Sequence, residues 1–256
     1  MSAERAERPG WPEGVARHVI SEVDSTNSEA ARLAPHLTRP TWIFARRQTA
    51  ARGRRGRPWL FPEGNFAATL VMRPAGDPAT AALRSFVAAL ALAEALDLIA
   101  GPGAVIALKW PNDVLLNGGK VAGILLESAG QGGTVSHLAI GIGVNLIAAP
   151  PADAVEPGAV LPVSLLGETG VRVEPELLLD MLACAFARRE AQLATCGFGP
   201  IRAAWLARAA KLGQTITART GTEVIEGRFE TIAEDGALVV ATSQGRRAVP
   251  AADVFF

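Results

Sequence analysis

Residues 46–59 read Arg-Arg-Gln-Thr-Ala-Ala-Arg-Gly-Arg-Arg-Gly-Arg-Pro-Trp, an order that suits no helix. Six of the fourteen are Arg: Arg46, Arg47, Arg52, Arg54, Arg55 and Arg57. Gly53 and Gly56 are set among them. Glycine adopts left-handed or crowded backbone that other residues resist, so the stretch predicts a loop. Arginine is always charged and grips carboxylate or phosphate through a planar fork. A loop with this charge density is a candidate anion clamp.

The balance of the whole chain argues against a long polyanion. Its 25 Lys and Arg are matched by 25 Asp and Glu, whereas nucleic-acid and membrane-surface binders are more often basic overall. Positive charge gathered in one loop of a neutral chain favours a local ligand. With 256 residues, 49% of them hydrophobic, the chain can build one large domain plus a small one. Cys184 and Cys196 have no metal-type spacing and suggest no disulfide framework, which fits a reducing cytoplasm. The first fourteen residues contain no apolar signal core and are expected to be mobile. The longest apolar stretch, residues 86–100, is interrupted by Glu94 and Asp97 and is too short to span a membrane. The expectation is a soluble cytoplasmic protein.

Alternation predicts a strand over 15–23, followed by Asp24-Ser25-Thr26-Asn27 turning into a helix. Thr26 and Glu29 have capping-box spacing, and polar groups at a helix start can also meet a polar ligand. Strands are predicted over 41–45 and 65–72, either side of the arginine loop, and a long helix over 77–100. Three strand-like segments follow at 105–109, 114–116 and 120–127, with the hairpin signal Asn117-Gly118-Gly119 between the last two. That hairpin brings Lys120 close across the ladder from the Asp113 region. A strand over 135–146, a Pro- and Ala-rich loop over 148–162, and helices over 174–195 and 199–212 come next. Past Gly213 the chain turns to short alternating segments split by Gly, at 215–218, 224–229, 237–241 and 247–249. These read as a small β-barrel that packs on the larger domain, because so short a unit is marginal alone. The division is residues 1–212 and 213–256.

Besides the loop, two segments stand out. One is Lys109-Trp110-Pro111-Asn112-Asp113 extended through Lys120-Val121-Ala122-Gly123; the other is Gly141-Ile142-Gly143-Val144-Asn145. Singly, each has an ordinary structural explanation: Pro, Asn and Asp are turn formers, and the Gly-x-Gly lacks the third Gly and helix of a dinucleotide fingerprint. Together with Ser25-Thr26-Asn27 they resemble the catalytic domain of biotin protein ligases. The family loop Gly-Arg-Gly-Arg-x-Gly-Arg-x-Trp corresponds to Ala51-Arg52-Gly53-Arg54-Arg55-Gly56-Arg57-Pro58-Trp59, with Ala51 in place of the usual first Gly. The family's Lys-Trp-Pro-Asn-Asp and Lys-x-x-Gly-Ile-Leu-x-Glu correspond to residues 109–113 and 120–127.

The resemblance implies an α+β fold: a mixed, largely antiparallel sheet flanked by helices, like the class II aminoacyl-tRNA synthetase catalytic domain, with a small C-terminal SH3-like β-barrel. It implies that biotin carboxylate attacks the α-phosphorus of ATP, with Mg²⁺ as a counter-charge. A lysine of a biotin carboxyl carrier protein domain then takes the biotinyl group. Ser25, Thr26 and Gln48, with Asn27 in the same turn, are implied to bind the ureido ring. Trp59 and Gly123 would shape the apolar pocket. Arg52, Gly53 and Arg54 would close over carboxylate and phosphate. Lys120 would bridge the biotin carboxyl and the α-phosphate. Asn145 would lie on the nucleotide side, and Asp113 would position metal or the incoming lysine. Arg54, Lys120 and Asp113 are thus the candidate catalytic residues, with no protein metal ligands assigned. Arg46, Arg47 and Arg55 are expected to be solvated loop charge, while Arg57 stays open. Relatives stack adenine on an aromatic of the later loop, but residues 148–162 contain none.

Some relatives carry an N-terminal helix-turn-helix domain. Only about 17 residues precede the matching segment, so no specific DNA binding is expected. A strand edge near 135–146, serving a homodimer or the docking of the acceptor, is a further expectation. Alternative readings are a lipoate-type acyl-adenylate ligase and, in a different class, a nucleic-acid-binding protein using the arginines as a phosphate patch. Such patches usually interleave stacking aromatics, and only Trp59 is near.

Overall fold

The computed structural model describes residues 10–156 and 158–256. Much of the expected mobile start lies outside them. The chain begins with β1 (Ala16–Val23), α1 (Thr26–Leu33), β2 (Thr41–Gln48) and β3 (Phe66–Met72). Then come α2 (Pro78–Ala82), α3 (Arg84–Ala100) and the strands β4 (Ile106–Lys109), β5 (Asp113–Leu116), β6 (Gly119–Gln131) and β7 (Thr134–Val144). After them stand α4 (Leu165–Thr169), α5 (Pro175–Cys196) and α6 (Phe198–Leu206). The chain closes with β8 (Thr215–Arg219), β9 (Val224–Ile232), β10 (Leu238–Thr242), β11 (Gly245–Val249) and β12 (Asp253–Phe255).

The first seven strands form one sheet in the order β1-β2-β3-β7-β6-β5-β4, parallel only between β1 and β2. Strand alternation sends side chains to opposite faces, and the buried residues divide accordingly. Trp42, Phe44, Phe66, Ala68, Leu70, Ile140 and Ile142 face a core shared with α3 and α5. Ile43, Val71 and Ala139 face α1 through Ala30 and Ala34. Helix α3 buries six alanines, Ala88, Ala89, Ala91, Ala93, Ala95 and Ala100, which allow it close to both sheet and α5. Its buried Leu90, Leu92 and Leu96 each contribute roughly 2 kcal/mol of apolar transfer. The architecture is α+β, a mixed sheet flanked by helices, followed by a five-stranded antiparallel sheet of SH3-like character in the order β11-β10-β9-β8-β12.

The two sheets share one apolar core, which runs on through Ile216, Phe229, Leu238 and Val254. Trp110 Nε1 donates to the Gly236 carbonyl at 3.1 Å across the junction. Gly236 has φ +85°, and a Cβ there would come within 3.0 Å of the Phe86 ring.

Several sequence expectations are corrected. Helix 77–100 is interrupted at Leu83, where the Phe86 N–H bonds to the Leu83 carbonyl in a tightened turn. The helix expected to 212 ends at Leu206, because the following stretch pairs with β4: Leu108 N–H donates to Arg208 O and Ala210 N–H to Leu108 O, both at 2.8 Å. The capping box does not form. Ser25, not Thr26, is the N-cap residue of α1, and Glu29 instead pairs with Arg32 at 2.6 Å. The strand near 135–146 is no sheet edge. From Leu138 to Val144 β7 is bonded to β3 on one side and β6 on the other. The edge strands are β1 and β4. Strand β12 was not foreseen.

Candidate active site

The floor of the site is built from what the strands omit. On the α1 face of the sheet, Ala67, Gly143 and Gly123 lie side by side across β3, β7 and β6. Such a row leaves room for a bulky side chain from elsewhere, and Trp59 fills it. A Cβ at Gly143 would lie 2.9 Å from Trp59 Nε1, and one at Gly123 3.2 Å from the indole ring. The next row carries Thr69 beside Gly141. A Cβ on Gly141 would lie 2.1 Å from Asn27 Oδ1. The Gly-Ile-Gly of β7 is therefore a packing requirement, met by residues without side chains on the site face.

Around this floor runs a chain of polar contacts. Gln48 Oε1 accepts from the Thr26 N–H at 2.7 Å and from the Thr26 hydroxyl at 3.2 Å. The Thr69 hydroxyl lies 2.8 Å from Thr26 Oγ1 and 2.7 Å from Asn27 Oδ1. Asn27 Nδ2 donates to Glu127 Oε2 at 2.8 Å. Arg52 donates to the same carboxylate at 2.9 Å and to Ser28 Oγ at 2.7 Å. Ser25, Thr26 and Asn27 are buried, although each belongs to a polar residue type that usually stays in water.

A second cluster sits on the hairpin. The Asp113 carboxylate is buried between two ammonium groups: Lys120 Nζ lies 2.6 Å from Oδ1, and Lys109 Nζ 3.4 Å from Oδ2. Burial pushes the Asp113 carboxyl up, but Lys120 and Lys109 outweigh it and hold the group below the usual carboxylate range. Burial pulls the Lys109 ammonium down, against the attraction of Asp113. The cluster carries a net single positive charge, and Lys120 lies 5.6 Å from the centroid of the Trp59 ring.

The arginine loop covers the cavity. Ala51, the departure from the family pattern, is not among the positive-φ residues; among the described non-glycine residues those are Arg55, Asn117 and Lys211. Its carbonyl accepts from the Trp59 N–H at 3.0 Å, so alanine fits this backbone. The left-handed positions of the loop are Arg55 (φ 57°) and Gly56 (φ 71°), whereas Gly53 is extended. Arg46 and Arg47 are corrected to the end of strand β2, where they pair with Glu176 and Glu22, each at 2.8 Å. Arg55 is not free solvated charge either, since it pairs with Asp253 at 2.9 Å. Arg54 and Arg57 approach the same carboxylate at 3.5 and 3.1 Å. Burial lowers the Arg54 pKa, while Asp253 opposes that shift.

All twelve sequence-predicted site residues line one cavity of about 560 Å³: Ser25, Thr26, Asn27, Gln48, Arg52, Gly53, Arg54, Trp59, Asp113, Lys120, Gly123 and Asn145. That volume is in the range of small-molecule sites. Asn145 donates to Val163 O at 3.1 Å, while its Oδ1 is buried with no hydrogen-bond partner among the described residues. Sequence reading missed Thr69, Glu156, Asp253 and Phe255. It quoted Glu127 inside a motif without giving it a role. Glu156, Asp253 and Phe255 also line the cavity. Among the described residues, no three of His, Cys, Asp and Glu converge as a metal cage.

The fold and this site define a ligase of the biotin/lipoate type. Residues 19–145 match the biotin/lipoate A/B protein ligase family, and residues 211–256 match the biotin protein ligase C-terminal domain. The chain is 61% identical over 238 residues to the biotin--[acetyl-CoA-carboxylase] ligase of Paracoccus denitrificans, covering 93% of this chain and 99% of that protein. It is 30% identical over 246 residues to the bifunctional ligase/repressor BirA of Bacillus subtilis (strain 168), covering 94% of this chain and 75% of BirA. The biotin protein ligase from Aquifex aeolicus in complex with biotin and ATP aligns with a TM-score of 0.79 at 25% identity, over 93% of this chain and 98% of that one. The chain belongs to the biotin protein ligases.

Proposed function

We propose that this chain is an ATP-dependent biotin–[acetyl-CoA-carboxylase] ligase. It joins biotin to AMP and then transfers the biotinyl group to a lysine of a biotin carboxyl carrier domain. The observation that carries this reading is the convergence in one cavity of an apolar indole wall, a cationic hairpin cluster and an arginine lid. The Paracoccus relative at 61% identity and the Aquifex complex with biotin and ATP support it.

In the first step a carboxylate oxygen attacks the α-phosphorus, the bond to the β-phosphate breaks, and pyrophosphate leaves. Two anions must come together, so the site has to neutralise both. Arg52, Arg54 and Lys120 supply fixed positive charge in a partly dehydrated space, and one such preorganised donor is worth about 3 kcal/mol at the barrier. Lys120 moves from Asp113 to bridge the biotin carboxyl and the α-phosphate. Asp113 is read as the group that holds Lys120 charged and aimed. A metal-ligand role for it would compete with two ammonium groups already in place. Glu156 and Asp253 are likewise paired with arginines, so magnesium is read as arriving on the nucleotide's phosphates.

Ser25, Thr26, Asn27 and Gln48 are assigned to the ureido ring, and Trp59 and Gly123 to the apolar body of biotin. Asn145, with its unpaired buried oxygen, is assigned to a nucleotide hydroxyl. Phe255 supplies the aromatic surface that residues 148–162 lack. In the second step the acceptor amine attacks the acyl carbon and AMP leaves; the lid keeps water from the mixed anhydride until then. Residues 1–212 are read as the catalytic unit and 213–256 as the small domain packed on it. No helix among the described residues is long and apolar enough to cross a membrane.

All six arginines of residues 46–59 have an acidic partner, which disfavours a phosphate patch for nucleic acid. The test is ATP–pyrophosphate exchange with biotin and then with lipoate. Biotin-dependent exchange is expected; exchange with lipoate alone, or with neither, overturns the reading.

A further inference from the structure

We propose that Asp253 is a positioning residue for the adenylation site: a carboxylate of the C-terminal sheet that pins the arginine loop over the cavity. Arg54, Arg55 and Arg57 all converge on it, Arg54 at Oδ1 and the other two at Oδ2. Its side chain is only 17% exposed. Arg54 also donates to the neighbouring Ala252 carbonyl at 3.3 Å. The loop backbone does little to hold itself down. Gly53 N–H bonds to Arg57 O, Arg57 N–H to Arg54 O, and Trp59 N–H to Ala51 O, all within the loop. Past Thr49 and Ala50, whose N–H groups donate to the Val23 and Asp24 carbonyls at 2.9 and 2.8 Å, attachment of the loop to the body depends on side chains. Trp59 packs on the bare row of the sheet and Arg52 ties the loop to Glu127, while on the other side Asp253 ties three arginines, one of which, Arg57, also pairs with Glu156 at 3.2 Å.

Three guanidinium groups gathered around one carboxylate repel one another once that carboxylate is gone. The loop should then lift on the side facing the C-terminal domain. Resting on the biotin ligase reading, Asp253 sets how long a biotinyl adenylate stays enclosed before the acceptor amine arrives. The small domain is in this sense part of the lid, and its contribution is electrostatic.

The test compares full-length wild type, Asp253→Asn and Asp253→Glu. Without biotin or ATP, trypsin should cut Asp253→Asn within the loop, after Arg52, Arg54 or Arg55, roughly tenfold faster than wild type, the summed effect of three partly exposed ion pairs. Asp253→Glu, which keeps the charge, should restore most of the protection. With biotin and ATP, Asp253→Asn should biotinylate the lysines of an added bystander protein several-fold more than wild type, and Asp253→Glu should not. Cleavage of Asp253→Asn at the wild-type rate, or identical behaviour of the Asn and Glu variants, overturns the proposal. If Asp253→Asn unfolds the small domain, Arg55→Gln removes one pair from the loop side and takes the same protease test. Because the protease arm uses no substrate, absent biotin-dependent exchange in wild type would sink the functional reading while leaving the pinning role to be judged separately.

Discussion

Two ion clusters face the same cavity and are built in opposite ways. On the hairpin, Asp113 is buried between Lys109 and Lys120, all three on adjacent strands within a dozen residues of sequence. At the lid, Asp253 gathers Arg54, Arg55 and Arg57 from almost two hundred residues away, and Arg55 and Arg57 are about half exposed. The buried Asp113 and Lys109 sit on a hydrogen-bonded ladder and cannot relax without uncovering an unpaired charge, so they keep their geometry, while the partly exposed Lys120 is free to swing to an incoming anion. A half-wet cluster on a self-bonded loop exchanges partners at small cost. The site thus combines a fixed cationic floor with a cationic cover able to open, as a reaction that admits two substrates and then hides an intermediate requires.

The contrast can be broken first at its rigid end. Asp113→Asn leaves the buried Lys109 ammonium and the partly exposed Lys120 without a counter-charge, and a loss of about 3 kcal/mol in unfolding free energy is expected. Urea unfolding measures it. The folded-state pKa of Asp113 is depressed, so its stabilisation is complete above the unfolded carboxyl value near 3.9 and is lost as pH falls through the folded one. The gap between wild type and Asp113→Asn should therefore be full at neutral pH and close below pH about 4. Equal stabilities at neutral pH would show the hairpin cluster to be as loose as the lid.

Lys120→Ala should lower biotin-dependent exchange by about a hundredfold, the worth of one preorganised donor, while unfolding changes less than in Asp113→Asn. A change confined to KM would mean that Lys120 binds substrate without acting on the barrier. Arg47→Ala serves as the contrast. It removes an exposed pair between β2 and Glu22 of β1, away from both clusters, and should stay within about 0.5 kcal/mol in stability with exchange unchanged.

What could be read from the sequence divides along the same line. The approach of Lys120 to Asp113 was legible because Asn117-Gly118 dictates the turn, both residues taking positive φ, whereas Lys109 stood in its motif without a role. The alternation over 15–23 and the short apolar runs of β2 and β3 likewise announced strands of the sheet. The Asp253 cluster was not legible, since nothing in Ala-Ala-Asp-Val-Phe reveals which distant loop it meets. Strand β12 holds only three residues, too few for a period to show. Thr69 was hidden for another reason. Amid the apolar run of β3 its hydroxyl looks like an ordinary β-branched choice, and only the turn carrying Thr26 and Asn27 gives it partners. The helix end at Leu206 was misjudged because the backbone bonds with Leu108 that replace it are long-range.

The bare row beneath the indole also limits how this chain can vary. Positions 59, 123 and 143 do not have separate lists of tolerated residues. A methyl group at 143 meets the ring within contact distance, so that change is open only to a chain whose residue 59 is already smaller. The three sites form a single joint choice, and a path of one-residue steps to a differently shaped pocket must begin at the tryptophan.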